Sequence, residues 1–113
     1  MHPQEVAARL GQLAIALDDL VSEYKELGEK AAAARRDFKK AKASSYLRAE
    51  GSIVARQAVA ELQSADAGFD ADIADVGVSA CREAIKAMHA RIDVGRTVSA
   101  TLRDEMRLGG PGA

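Results

Sequence analysis

The sequence predicts an all-α fold of two long antiparallel helices, a coiled-coil-like helical hairpin assembled into a bundle by oligomerisation. Three observations predict it. Proline occurs only at Pro3 and Pro111, so nothing from Gln4 to Gly110 carries the residue that most reliably breaks a helix. The β-branched residues are scattered and do not gather into strand-like runs. Finally, a heptad repeat runs unbroken through the first 45 residues.

That repeat defines the first helix. Steps of four and three residues from Val6 reach Leu10, Leu13, Leu17, Leu20, Tyr24, Leu27, Ala31, Ala34, Phe38, Ala41 and Ser45. A seam of this period stays against a partner helix over its whole length. Pro3 suits the first turn, where its missing N–H leaves nothing unsatisfied. The expected helix covers about 4–49.

Glu50-Gly51-Ser52 is the expected turn. Gly51 can take the left-handed conformation that ends one helix, and Ser52 can cap the next.

The second helix is expected over about 53–107, with a flexible tail at 108–113. Its apolar stripe begins Ala55, Ala58, Leu62, Ala65, Phe69, Ile73, Val76, Ala80, Ala84 and Met88, at slightly over 3.6 residues per step. From Cys81 the heptad rhythm returns as Ile85, Met88, Ile92, Gly95, Ser99, Leu102 and Met106. Gly68, Gly77 and the aspartates between Ser64 and Gly77 leave a three-helix alternative open, with its turn near Asp66 to Asp70.

Charge alternates along the chain. Residues 1–29 carry net −4, residues 30–56 net +6, residues 57–79 net −5 and residues 80–113 net +2. Folding at Gly51 sets residue n beside roughly residue 101 − n. Arg35, Arg36, Lys39 and Lys40 would then lie along Glu61 and Asp66, and Asp18 and Asp19 near Arg82 and Lys86. Such pairs select an antiparallel register, though each exposed one contributes only ~0–1 kcal/mol.

A chain of 113 residues is a single domain, 1–113. Alanine supplies 24 residues, and Leu, Ile, Val and Phe together supply another 24. Alanine favours helix but buries little area, so the composition suits helices in close contact better than helices around a thick interior. A hairpin buries one stripe per helix, and a second apolar set remains: Ile15, Val21, Val54, Val59, Val78, Val94 and Val98. These are the candidate interaction residues, for a homo-oligomer or for a protein partner.

Chemistry-bearing patterns are sparse. The basic residues Lys30, Arg35, Arg36, Lys39, Lys40, Lys42 and Arg48 could contact a phosphate backbone, and this nucleic-acid accessory role is the alternative function. They spread over several outward heptad positions, however, with Tyr46 the sole nearby aromatic for stacking. Glu61, Asp66, Asp70, Asp72 and Asp75 lack the spacing of a calcium loop. Cys81 and His89 lie eight residues apart on one helix, over ~10 Å along its axis, too far for a shared metal or a nucleophile–base pair. They read as a small core residue and a helix-surface residue, while His2 sits at a floppy terminus. No phosphate loop, nucleophile elbow or paired-carboxylate cleft is found, so the expectation is no enzyme, no cofactor and no metal. One cysteine, no basic-then-apolar leader and no membrane-length apolar run predict a cytoplasmic protein with no membrane partner.

Lys42-Ala-Ser-Ser-Tyr-Leu-Arg-Ala-Glu-Gly-Ser52 and the stretch from Ala87 to Met106 resemble small helical proteins of tailed bacteriophages, particularly those of actinobacteria. The two stretches cover under a third of the chain. The resemblance implies a phage protein made in the host cytoplasm that binds or modulates a host or phage protein. It implies no catalytic activity. The secreted helical-hairpin proteins of actinobacteria are also dimerising pairs of helices, but their Trp-x-Gly turn is missing here.

Overall fold

The structure, a computed structural model, describes residues 2–109. It is a helical hairpin of α1, Pro3–Arg48, and α2, Ile53–Leu108, with no strand among the described residues. Residues 110–113 of the expected tail lie outside those residues.

Three of the four helix ends have an identifiable cause. His2, expected to be floppy, caps α1. Its carbonyl accepts the N–H groups of Glu5 and Val6, and its Nδ1 accepts that of Gln4 at 3.1 Å. Glu5 reaches back to accept the His2 N–H at 3.3 Å, which completes a reciprocal capping box. At the turn Gly51 has φ +106°, a conformation that a Cβ makes costly. Ser52 Oγ then accepts the Ala55 N–H at 3.1 Å and starts α2.

α2 is unbroken, which rules out the three-helix alternative. Even Phe69-Asp70-Ala71-Asp72-Ile73, which alternates apolar and polar residues as a strand would, is helical. Helical residues on both sides hold it, since extending an existing helix fixes only one residue per added hydrogen bond.

The hairpin divides into two compact units, one formed by the chain up to Glu23 and from Cys81 onward, the other by Tyr24–Ala80. In the first, Val6, Cys81 and Ile92 are buried, and Leu10, Leu13, Leu17, Leu20, Ile85 and Met88 are half-buried between the helices. Leu10 packs against bare Gly95, where a Cβ would come within 2.6 Å of Leu10 Cδ2. The Cys81 thiol donates to the Leu20 carbonyl at 3.5 Å.

The second unit has a core of small residues. Ala31, Ser45, Ala60, Ser64 and Ala71 are buried, with Ala34, Phe38, Ala41, Ala67, Gly68 and Ala74 half-buried beside them. Small side chains let the two backbones approach, and Phe38 occupies the space that Gly68 leaves open. Ser64 satisfies its hydroxyl within its own helix, donating to the Ala60 carbonyl at 2.6 Å. Near the turn, Arg56 stacks over the Tyr46 ring, 4.6 Å from its centroid.

All twelve heptad positions of α1, Val6 to Ser45, are buried or half-buried, as the sequence predicts. The stripe of α2 needs correction. The heptad frame that begins at Cys81 continues backward as Val78, Ala74, Ala71, Ala67, Ser64 and Ala60, and these face α1. Leu62, Phe69, Ile73 and Val76 point away from it. An uninterrupted helix keeps one frame along its length, so the frame that places Cys81, Ile85 and Ile92 inside also places Ala71 and Ser64 inside.

The register shifts too. Leu20 meets Cys81 as expected, but Leu10 meets Gly95 and Phe38 meets Gly68, each about one helical turn further along α2. Arg35 reaches Asp75, further still along α2, in place of Glu61 or Asp66. Lys86 pairs with Glu83 of its own helix.

Candidate interaction surface

The displaced residues of α2 form a surface of their own within the Tyr24–Ala80 unit. Steps of four and three from Ala55 reach Val59, Leu62, Asp66, Phe69, Ile73, Val76 and Ala80. This is a second heptad repeat, on the opposite side of α2 from the seam with α1, and Asp66 is its one polar member. Leu62, Phe69, Ile73 and Val76 are between 54% and 80% exposed. Four large apolar groups on one line are unlike the scattered exposed residues that any surface carries. The corresponding face of α1 in this unit, with Glu26, Glu29, Arg36 and Lys40, suits water.

Charge surrounds the stripe unevenly. Asp70 and Asp72 flank it on either side, and Asp66 lies within it. None of these three carboxylates has an ion pair among the described residues. Asp75 pairs with Arg35, and Glu61 lines a recess with Lys39 and Lys42.

In the other unit, Val6, Leu10, Leu13, Val94, Gly95 and Val98 line an open apolar recess of about 410 Å³, with Arg9 and Arg91 at its edge.

The sequence-predicted interaction residues are only partly gathered. Val94 and Val98 meet in the recess, whereas Ile15 and Val21 are exposed on α1 outside it. Val59 belongs to the α2 stripe, Val54 is exposed beside the turn, and Val78 is half-buried in the seam. Leu62, Phe69, Ile73 and Val76, which large-residue spacing alone places in the stripe facing α1, are instead exposed. The signal that identifies them is the heptad frame after Cys81, extended backward through Ala60.

The basic segment does not form a continuous edge. Arg35 is held by Asp75 and Arg36 by Asp37 at 3.4 Å. Lys39 and Lys42 face the recess with Tyr46, Leu47 and Glu61, while Lys40 and Arg48 stand exposed elsewhere on the helix. No group of three or more potential metal ligands is found among the described residues. His89 is exposed and Cys81 buried. Burial pushes the Cys81 thiol pKa up, and the nearby Glu23 carboxylate adds to the rise, so the nucleophilic thiolate is disfavoured. No helix of the described residues is long and apolar enough to cross a membrane.

Comparison with protein-family models, curated proteins and solved structures finds no match to this chain. The surface itself therefore carries the functional reading.

Proposed function

We propose that this chain is a non-enzymatic protein-interaction module whose docking face is the outer stripe of α2. The observation that carries the reading is the exposure of Leu62, Phe69, Ile73 and Val76 on one heptad line, on the side of α2 turned away from α1. Covering such a line removes apolar area from water at ~25 cal/mol per Å², the main favourable term in association. The hairpin supplies a rigid support, because the stripe stands on a helix braced along its other side.

The resemblance to helical phage proteins supplies a setting. In it, the chain is made in the host cytoplasm and modulates a host or phage protein by occupying a helical surface. Assembly of the chain with itself is the competing use of an exposed apolar stripe.

Light scattering coupled to size exclusion, over a dilution series of the wild type and of Phe69→Asp, tests the reading together with binding of a helical probe. Binding or self-association that Phe69→Asp abolishes supports it. A wild type that stays monomeric and binds no apolar helical probe would refute it.

A further inference from the structure

The composition of the stripe and its flanks points to one kind of occupant. We infer that the α2 stripe receives a helical segment of another protein that has an apolar heptad seam edged by lysine or arginine, and that charge keeps a second copy of this chain off it. The inference rests on the reading of the stripe as a docking face.

Geometry sets the shape of the partner. The stripe from Ala55 to Ala80 extends roughly 38 Å at 1.5 Å per residue. It keeps a period of three and a half residues throughout, and a second α-helix is the element that follows such a line by placing its own seam against it. The flanking positions Ala58, Ala65, Gly77 and Ser79 are small, which leaves room for the stems of long side chains to lie alongside.

Charge selects the partner. Asp66, Asp70 and Asp72 occur within about 9 Å of helix at the centre of the stripe. None is ion-paired among the described residues, although Asp75, further round the same helix, is. Among residues 55–80 of α2 the only basic residue is Arg56, at the turn end, and it is engaged with Tyr46.

A second copy fits poorly in either direction. A parallel pairing sets Asp66 against Asp66 inside the new seam. An antiparallel pairing centred near Ala67 and Gly68 gathers six carboxylates into the same short stretch. Like charges brought together as water leaves oppose the contact. Within the Tyr24–Ala80 unit, the outer face of α1 from another copy offers Arg36 and Lys40, but Leu47 is its one large exposed apolar group. A foreign helix with apolar seam positions and basic edges meets both requirements together.

The test uses the full chain and two labelled peptides of about four heptads, both with Ile and Leu at the seam positions. One carries Lys at the edge positions, the other Glu, so that neither pairs well with itself. Fluorescence anisotropy is expected to show binding of the Lys peptide, with the Glu peptide at least ~10-fold weaker and the difference shrinking as salt is raised. Phe69→Asp should abolish binding with the helical circular dichroism retained. The triple variant Asp66→Lys, Asp70→Lys, Asp72→Lys should reverse the peptide preference, a gain that loss of folding cannot imitate.

Equal binding of both peptides, or a wild-type dimer dispersed by Phe69→Asp, would overturn the inference and leave the docking face standing. Binding of neither peptide by a monomeric wild type would remove both.

Discussion

Phe38 lies directly over Gly68, with its Cε1 3.0 Å from the point a Cβ on that glycine would occupy. The contact fixes the register of the Tyr24–Ala80 unit. It also explains why a glycine occupies the middle of a helix, where it costs up to about 1 kcal/mol relative to alanine.

The glycines should therefore respond differently to substitution. Gly77 has no atom within 4 Å of its Cβ site. Gly77→Ala should stabilise the chain by ~0.5–1 kcal/mol, the helix-propensity difference. Gly68→Ala should lose most of that gain against the Phe38 ring, and Gly68→Val should destabilise by ~1–3 kcal/mol through overpacking. Urea midpoints of the three variants check the order.

The two phenylalanines should also separate. Phe38 is half-buried in the seam, so Phe38→Ala should cost roughly 2–3 kcal/mol, below the ~3–5 kcal/mol of a fully buried ring. Phe69 faces outward, and in the free monomer Phe69→Ala should change stability by no more than about 0.5 kcal/mol. A large loss for Phe69→Ala in a monomer of wild-type helicity would place the seam on the wrong side of α2.

The turn makes a third prediction. Gly51→Ala places a Cβ at φ +106° and should cost ~1–3 kcal/mol. Ser52→Ala removes the oxygen that accepts the Ala55 N–H and should cost ~1 kcal/mol. Ser52→Asp keeps a capping oxygen and should restore most of the loss in thermal melts.

Cys81 gives a pH dependence of known sign. Its pKa in the folded chain is raised above the ordinary 9.0 by burial and then by Glu23, so the folded state holds the thiol proton more tightly than the unfolded state does. The stability contributed is complete below the unfolded pKa and is lost as pH rises through the folded one. Urea midpoints should fall more steeply above about pH 9 for the wild type than for Cys81→Ala. Thiol alkylation at neutral pH should be slow until denaturant is added.

Much of this fold is legible in the sequence because its signals are local or periodic. The seam of α1 follows from spacing alone, and the turn from Gly51 and Ser52. The His2 cap was hidden because histidine is an unusual residue there and only the position of Glu5 hinted at it. In α2, large residues drew the expected seam toward Leu62, Phe69, Ile73 and Val76. Burial there follows the frame set by Cys81, Ile85 and Ile92, and small size at Ala60, Ser64, Ala67 and Ala71 is what that frame requires.

By itself the sequence determined a helical chain, the turn at Gly51 and Ser52 and the face that α1 buries, since propensity, capping and heptad spacing act within a few residues. Only the tertiary structure decided which of two competing repeats on α2 meets α1. Both satisfy the helical period, so the choice depended on how closely the backbones approach, and Gly68 beneath Phe38 shows that approach. The same choice left Leu62, Phe69, Ile73 and Val76 exposed beside unpaired carboxylates. The candidate site thus follows from packing between residues far apart in the chain.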